Sequence, residues 1–397
     1  MEAEERLSLF NIDKIILLLF VGFLLTGEAQ TLLNNSGLKW AYLLLLSFGI
    51  GYVCTPLVHW LAHRTGAIDM PAGRKAHGAP TALLGGAAVF IAFALTVLVN
   101  FSFSEELKGV VLGGLVIFAV GLWDDLKELP ASLKLLAQLL AVAILIHHGV
   151  VISFLPDEPW GDVGEWALTA FWVIGITNAI NFLDGMDGLC TGLCGIVSIF
   201  FGLVALQNHQ DFMVYLALPL VGACLGFLPY NFRPFRSAVI FLGDAGSTFL
   251  GFTVAALGVM GDWAGDHAVR LIVPIIILGV PIFDMTFTTF MRVKNGQVRS
   301  FKQWVNYTGR DHIHHRLADL RIGHFKAVLG ICGVSIWLGR SGLALKNATG
   351  LNAILQVAQS VIVFLLLGSF MVFVQHKYEE IEHKNEGLDQ ENKTGEV

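Results

Sequence analysis

The chain has 397 residues, of which 55% are hydrophobic and only 14% are charged, and its mean hydropathy is +0.68. A soluble domain of this length carries about a quarter charged residues, so the composition excludes a soluble globular protein and indicates a polytopic membrane protein. The net charge of −6 says little, because loops and the tail hold most of the charges. The five cysteines lie in apolar segments without a C-x-x-C pair, which favours buried, unreactive thiols.

Apolar runs of about 15 to 24 residues recur along the chain and predict an all-α fold with about 11–12 transmembrane helices. The first run belongs to an extra N-terminal membrane segment, residues 1–36. A polytopic domain follows over residues 37–375, and a charged, cytoplasmic tail over residues 376–397. The predicted spans are Ile15–Thr26, Ala41–Leu61, Ala82–Val99, Val110–Trp123, Leu133–His147, Trp166–Asn181, Leu189–Leu206, Phe212–Leu228, Thr248–Met260, Leu271–Met291, Ala327–Leu338 and Ile354–Val374.

Lysine and arginine are distributed unequally between alternate connections of these spans. The richer set comprises Arg64, Arg74, Lys75, Lys127, Arg233, Arg236, the basic residues between Arg292 and Arg321, Lys377 and Lys384. The poorer set comprises Lys108, Arg270, Arg340 and Lys346 and includes the acidic loop at 157–162. The positive-inside rule therefore predicts that the richer set is cytoplasmic, with both termini inside if there are twelve spans. Every polar motif described below falls in this cytoplasmic set.

The stretch N-A-I-N-F-L-D-G-M-D-G-L, at 178–189, places amides, carboxylates and glycines at the end of an apolar run. Asn178, Asn181, Asp184 and Asp187 recur every third residue, so neighbouring pairs share roughly one face of a helix. Charged groups at a membrane edge are costly and are kept mainly for function or pairing. Oxygen ligands of this kind suit Mg²⁺ or Mn²⁺. The alternative is a polar helix end with capping side chains.

A second acidic motif, D-D-L-K-E, follows the span that ends at Trp123. Asp124 and Asp125 reach Glu128 at helical spacing, so three carboxylates can converge. Like charges this close raise one another's proton affinity unless a cation lies among them. A hard divalent ion or a carboxylate that acts as a base fits this pattern. A solvated helix end, with Lys127 as the partner, is the alternative.

Two glycine-containing motifs come before apolar helices. The first, G-R-K-A-H-G-A-P at 73–80, is followed by Gly85-Gly86; the second, F-L-G-D-A-G-S-T, occupies 241–248. Backbone amides at a helix start favour phosphate, and Asp244 offers a metal ligand. The alternatives are an ordinary basic topology signal in the first motif and a plain N-cap, at Asp244 or Ser247, in the second.

Histidines are concentrated in the longest cytoplasmic loop, within G-R-D-H-I-H-H-R-L at 309–317. Three histidines and two arginines in this stretch could bind zinc or phosphates, and phosphates are favoured because no zinc-type ligand spacing lies nearby. Asp284 lies inside an apolar span near Pro281. It either pairs with a cation or supports the site, and the sequence does not decide between these roles.

Together these stretches resemble the polyprenyl-phosphate N-acetylhexosamine-1-phosphate transferase family, and the match runs from about Leu57 to Leu317 in the family's order. The H-I-H-H-R-L stretch is similar to the branch that transfers GlcNAc 1-phosphate. The phospho-MurNAc-pentapeptide branch tends to carry three consecutive histidines there, and it remains an alternative. The extra N-terminal span departs from the family's usual pattern.

The resemblance implies that the polytopic domain transfers N-acetylhexosamine 1-phosphate, most simply GlcNAc 1-phosphate, from a UDP-sugar to undecaprenyl phosphate. UMP is released, Mg²⁺ is required (Mn²⁺ is a second candidate), and the active site faces the cytoplasm at the inner, plasma membrane. The bilayer is a further partner, a homodimer is one possible assembly, and no nucleic acid is expected. The physical reading agrees, because attack of a phosphate on a diphosphate needs negative charge to be neutralised.

The resemblance also implies a role for each matched residue. Asp244 and Asn181 are the expected metal ligands, and Asp124 would deprotonate or orient the lipid phosphate with support from Asp125. Asp187 would lie near the uridine, against which Phe241 stacks, and Asp184 completes the catalytic carboxylates. The remaining substrate-binding residues are Lys75, Asn178, His312, His314, His315 and Arg316.

Two other classes of membrane protein compete with this interpretation. A transporter also combines many spans with intramembrane carboxylates, but its polar groups lie near mid-membrane and its halves are often inverted repeats, and neither feature is evident here. A CDP-alcohol phosphatidyltransferase would carry D-G-x-x-A-R, whereas Asp184-Gly185 is followed by M-D-G-L.

Overall fold

The computed structural model of the protein describes residues 12–70, 80–100, 104–156, 158–234, 236–300, 303, 309, 311–319 and 323–394. Two short strands, β1 (Ile68–Asp69) and β2 (Thr81–Ala82), pair antiparallel. The helices in the described part of the chain are α1 (Ile12–Leu24), α2 (Gly27–Asn35), α3 (Lys39–Thr65), α4 (Gly85–Asn100), α5 (Glu105–Leu126), α6 (Ala131–His147), α7 (Pro159–Phe182), α8 (Leu189–Gln207), α9 (Asp211–Asn231), α10 (Gly243–Met260), α11 (His267–Ile277), α12 (Gly279–Lys294), α13 (Ile313–Asp319), α14 (His324–Leu345) and α15 (Leu351–Thr394).

The predicted all-α, polytopic membrane fold is confirmed. Among the described residues, eight helices are long and apolar enough to cross a membrane, or up to ten crossings if each of two bent helix pairs counts as one span. Each of these helices or bent pairs corresponds to one of the predicted spans. The two remaining predicted spans correspond to α4 and α6, which are apolar but shorter, with 16 and 17 residues. The eight long helices are α3, α5, α7, α8, α9, α10, α14 and α15.

Two predicted spans are broken helices. The predicted span Ile15–Thr26 is α1, which turns by 74° into α2, and the Thr26 side chain caps α2 by accepting from the Ala29 amide at 3.3 Å. The predicted span Leu271–Met291 turns by 81° between α11 and α12. Pro281 lies in the first turn of α12 and has no N–H to continue the helical bonding from α11. The bend redirects α12 toward the histidine segment.

Helix α10 lies at the centre of the bundle and packs against α4, α5, α7 and α8. Every residue from Phe249 to Gly258 is buried, as expected for a helix without a lipid-facing surface. Phe249 and Phe252 are among the largest fully buried side chains. On another side of the bundle, α9 approaches α3 closely because Gly222 and Gly226 face the backbone of Leu44 and Phe48. The N-terminus of α10 is thus held in a well-packed frame.

The segment before α10 is joined to the start of α4 by backbone hydrogen bonds. The Gly85 amide donates to the Phe241 carbonyl at 3.0 Å, and the Gly86 amide donates to the Leu242 carbonyl at 2.7 Å. A Cβ on Gly86 would overlap the backbone of Gly246. The glycine pair therefore allows two helix starts to approach, and its amides are not available to a phosphate.

The charged tail continues a membrane helix. The apolar part of α15, Leu351–Val374, has the composition of a membrane span, and the helix then runs without a break to Thr394. The backbone of the predicted charged tail is therefore helical as far as Thr394.

Candidate active site

Polar motifs that are far apart in sequence meet at one end of the bundle. This end is formed by the C-termini of α5 and α7 and by the N-termini of α6 and α10. The side chains that meet there include Asp124, Asp125, Asn181 and Asp244, as the sequence predicted for the acidic motifs. Lys75 lies outside the described residues, together with the rest of 71–79.

A lysine that the sequence did not identify bridges the two main carboxylates. The Lys134 Nζ atom lies 2.5 Å from Asp124 Oδ2 and 2.7 Å from Asp244 Oδ2. The other Asp124 oxygen accepts from the Leu129 amide at 2.7 Å. Two anionic groups this close need a cation between them. The only local sign in the sequence was a lysine in the first turn of an otherwise apolar helix.

Asp125 holds the start of α10. Its carboxylate accepts from the amides of Asp244 at 2.7 Å and Ala245 at 3.0 Å. Gly243 permits this approach, since its φ is 75° and a Cβ there would lie 2.6 Å from Asp125 Oδ2. Asp125 therefore acts as an N-cap supplied by another helix and fixes the backbone that carries Asp244. The N-cap that the sequence offered at Asp244 or Ser247 is provided from α5 instead.

The two asparagines of α7 have different neighbours. Asn181 Nδ2 donates to Asp244 Oδ1 at 3.1 Å and to Ser247 Oγ at 2.8 Å, which places its amide beside the carboxylate. Asn178 exchanges hydrogen bonds with Gln138 at 2.9 and 3.2 Å. Asn181 thus lies in the carboxylate cluster, while Asn178 links α7 to α6 and lines the same small cleft. Their predicted roles toward metal and substrate stay predictions.

The loop between α7 and α8 carries Asp184 and Asp187. Burial, together with the charges of Asp244, Asp125 and Asp187, holds the pKa of Asp184 well above its usual range. Asp187 accepts from the Ala238 amide at 2.9 Å, which ties this loop to the segment before α10. Asp184 therefore lies where additional positive charge would stabilise its ionised form.

The histidine segment packs against this loop through Gly185. The ring of His314 lies so close to Gly185 that a Cβ there would overlap its Nε2 atom. His314 is 1% exposed, and its ring centroid is 4.1 Å from that of His315. The structure therefore brings the histidine motif to the Asp184–Asp187 loop, as expected if the motifs form one site.

His312 has a supporting position, with its ring nitrogens directed at protein groups. Nδ1 lies 2.7 Å from Asp284 Oδ2, Nε2 lies 3.2 Å from Arg292 Nη2, and the ring stacks on Phe182. Asp284 also accepts from the Ile313 amide at 2.7 Å, which joins α12 to the start of α13. Of the two roles that the sequence left open for Asp284, the contacts fit support of the histidine segment.

Arg292 and Arg316 further anchor this segment. Arg292 donates to both Asp311 oxygens at 2.7 Å; burial raises the pKa of Asp311, but this arginine lowers it overall. Arg316 donates to the carbonyls of Asp311 at 2.8 Å and Met371 at 3.1 Å. The predicted phosphate contacts of Arg316 and His312 stay predictions, and in this conformation both side chains bind neighbouring protein groups.

The oxygen donors at this end fit a hard divalent cation. Asp124, Asp184 and Asp244 supply carboxylates and Asn181 supplies an amide, which are ligands typical of Mg²⁺. In the part of the chain that the structure describes, no three acidic, histidine or cysteine side chains already converge on one point. Lys134 lies between two of the carboxylates and supplies the positive charge there.

Comparison with known proteins decides the family. A model of glycosyl transferase family 4 matches residues 107–262. A probable undecaprenyl-phosphate N-acetylglucosaminyl 1-phosphate transferase of Bacillus subtilis is 35% identical over 303 residues, which cover 75% of this chain and 82% of that protein. This chain belongs to glycosyl transferase family 4. The resemblance to the polyprenyl-phosphate N-acetylhexosamine-1-phosphate transferases, drawn from the five motifs, is thereby confirmed.

Two further family-4 relatives show the range of similarity. Decaprenyl-phosphate N-acetylglucosaminephosphotransferase of Mycobacterium tuberculosis is 32% identical over 326 residues, which cover 73% of this chain and 78% of that protein. Phospho-N-acetylmuramoyl-pentapeptide-transferase of Heliobacterium modesticaldum is 35% identical over 248 residues, with 58% and 71% coverage. Both branches that the motifs suggested are therefore represented among similar proteins.

Substitution of Lys134 tests the carboxylate bridge of this family-4 protein. We expect Lys134→Met to lower turnover by at least about a hundredfold, because Asp124 and Asp244 lose the cation that lies between them. Lys134→Arg keeps the charge and should retain more activity. Lys108→Met is the matched control, since Lys108 pairs with Glu105 at the other end of α5. Equal activity of Lys134→Met and Lys108→Met would exclude a role for the bridge.

Substitution of Asp125 tests the cap on α10. We expect Asp125→Ala to reduce stability by roughly 1–3 kcal/mol, because two amides at the start of a buried helix lose an anionic acceptor. Thermal unfolding of the purified protein measures this loss. Asp125→Asn keeps one acceptor oxygen and should lie between wild type and Asp125→Ala. An unchanged melting temperature in Asp125→Ala would show that the cap does not stabilise α10.

Proposed function

We propose that this protein transfers N-acetylglucosamine 1-phosphate from UDP-N-acetylglucosamine to undecaprenyl phosphate, with release of UMP. The observation that carries the proposal is the meeting of Asp124, Lys134, Asn181 and Asp244 at one end of a family-4 membrane bundle. Two similar proteins are named for transfer of N-acetylglucosamine phosphate to polyprenyl phosphates. The reaction would be the first membrane step in the synthesis of a cell-envelope polysaccharide.

The proposed reaction is an exchange of phosphate partners. An oxygen of the lipid phosphate attacks the phosphorus that bears the sugar and forms a new P–O bond. The bond from that phosphorus to the bridging oxygen breaks, and the electron pair leaves with UMP. Both reactants are anionic, so the site must reduce repulsion between them before the new bond can form.

The side chains at the end of α5 and at the starts of α6 and α10 are suited to reducing this repulsion. Asp124 is positioned by the Leu129 amide and by Lys134, and it would deprotonate or orient the lipid phosphate. Lys134 would place a positive charge beside the reacting phosphates once they displace it from a carboxylate. Asp187 and Phe241 would contact the uridine, and His314, His315 and Lys75 would contact phosphates.

We propose Mg²⁺ as the cofactor, with Mn²⁺ as a possible substitute. Asp244 and Asn181 would hold it, because their oxygens are the donors that these ions prefer. The bound ion would supply charge neutralisation at the diphosphate. The burial of Asp184 among other carboxylates supports a cation here.

We also propose that this end of the bundle faces the cytoplasm, at the plasma membrane of a bacterial cell. The basic residues flanking the motifs support this orientation through the positive-inside rule, and nucleotide sugars are cytoplasmic. A transporter would need polar groups along a path through the membrane. The cluster found here lies at helix ends, which favours chemistry at one membrane surface.

A UMP-release assay tests the proposal. Purified protein is incubated with undecaprenyl phosphate and UDP-GlcNAc, UDP-GalNAc or UDP-MurNAc-pentapeptide, with Mg²⁺ or with a chelator. We expect UMP only with lipid and metal present, and fastest from UDP-GlcNAc. Fastest release from UDP-MurNAc-pentapeptide would instead support the phospho-MurNAc-pentapeptide branch, to which the Heliobacterium modesticaldum relative belongs by name. Solute movement across liposomes without UMP release from any sugar would refute the enzyme proposal.

A further inference from the structure

A pair of histidines lies near the C-terminus of α3 and is not among the residues of the proposed active site. His59 and His63 are four residues apart, and their Nε2 atoms lie 3.3 Å from each other on the same side of the helix. The rings meet edge to face, with centroids 4.6 Å apart. Residues at this spacing are neighbours on a helix surface, and two histidines so placed can ligate one ion.

The distance between the two nitrogens selects a coordination geometry. Two nitrogen ligands at about 2.05 Å from a tetrahedral ion are about 3.3 Å apart, which is the typical arrangement around Zn²⁺. A square-planar ion would require about 2.9 Å. Without an ion, the same contact is a hydrogen bond in which one of the two Nε2 atoms carries the proton. The 3.3 Å separation of the two Nε2 atoms is close to the separation expected around a tetrahedral ion.

The surroundings of the pair leave it accessible from water. Trp40 and Trp60 lie about 30 Å apart along α3, the thickness of a bilayer's hydrocarbon core, so Trp60 marks the interface. His63 is exposed and His59 is half-buried. The guanidinium of Arg64 lies 4.5 Å above the Trp60 ring, which holds this neighbouring positive charge on the adjacent face of the helix.

We propose that His59 and His63 form a binding site for a tetrahedral, imidazole-preferring divalent ion of the Zn²⁺ class, with water or another ligand completing the shell. Its ligands are nitrogen atoms, whereas the carboxylate cluster at α5, α7 and α10 offers oxygen. Imidazole favours Zn²⁺ and carboxylate favours Mg²⁺, so the two sites discriminate between these ions.

Equilibrium dialysis with Zn²⁺ tests this site. Protein without a polyhistidine tag, in nanodiscs with excess Mg²⁺, is dialysed against a Zn²⁺ series, and bound metal is measured by atomic absorption. We expect one class of Zn²⁺ site to weaken by at least about tenfold in His59→Ala and equally in His63→Ala. His147→Ala should bind Zn²⁺ like the wild type, since His147 is an exposed histidine on another helix, at the end of α6.

A variant with one histidine moved along the helix tests whether Zn²⁺ binding depends on the relative position of the two histidines or only on their number. The double variant His63→Ala/Arg64→His restores the number of histidines but places the second one off the face of His59, and it should not recover binding. Full recovery, or unchanged Zn²⁺ binding in His59→Ala, would overturn the proposal. Zinc bound at the histidines of α13 would remain in every variant and so would be recognised as a separate class. UMP release with Mg²⁺ should be unaffected in His59→Ala.

Discussion

Asp244→Asn is expected to reduce UMP release by at least about a hundredfold while the protein still inserts into the membrane. Asp244 is the carboxylate on which the cluster converges, because it meets Lys134 at 2.7 Å and Asn181 at 3.1 Å. The substitution keeps the size of the side chain but removes its charge. Lys134 is then left with Asp124 alone, and the proposed cation loses its leading ligand.

The test of Asp244→Asn requires a carboxylate outside the site. Asp211→Asn is the matched control, since Asp211 is exposed in the first turn of α9 at the other end of the bundle. The initial rate of UMP release and the Mg²⁺ concentration for half-maximal rate should be measured for both. Near-normal activity of Asp244→Asn would remove the metal assignment. Asp124→Asn and Asp187→Asn are likewise expected to abolish transfer without preventing membrane insertion.

Gly185→Ala is expected to lower turnover by about a hundredfold, because it displaces neighbouring parts of the site without removing any functional group. Its new Cβ would overlap the His314 ring, which is 1% exposed and lies beside His315. The ring cannot move away easily, because Asp284 anchors the start of α13 through the Ile313 amide. The Asp184–Asp187 loop or α13 must therefore shift, and a displacement of about 1 Å can cost that much in rate.

Gly175→Ala provides the control for the added methyl group. Gly175 lies in α7, upstream of the same loop, and a Cβ there would meet nothing within 4 Å. This variant should keep full activity and gain a little stability, because alanine is the better helix former. Normal turnover in Gly185→Ala would show that contact between the histidine segment and this loop is not required. In a His314→Ala background, Gly185→Ala should cost little further turnover if its effect is steric, since the smaller side chain leaves room for the methyl group.

Local sequence patterns were sufficient for the membrane architecture. Each apolar run became a helix or a bent pair of helices, because a backbone in lipid must satisfy its own hydrogen bonds and a helix does so within one segment. Two local features of these helices were not predicted. The runs of α4 and α6 are short, and the bend before Pro281 divides a continuous apolar stretch into α11 and α12.

The residue types of the site were also evident from the sequence, since carboxylates and histidines at membrane helix ends are too costly to be incidental. Their partners were not. Asp125 accepts from the Asp244 amide 119 residues later, and Lys134 reaches Asp244 across 110 residues. His312 likewise contacts Asp284, which lies on α12 just after the bend between α11 and α12.

The sequence by itself determined the class of protein, the order of its helices and the five motifs from which the family could be inferred. Only the tertiary structure decided that Asp125 holds α10, that Lys134 bridges Asp124 and Asp244, and that Gly185 receives His314. The physical reason is range. Hydropathy and helix propensity act over one segment, whereas a charge pair or a close backbone contact depends on how separate helices pack.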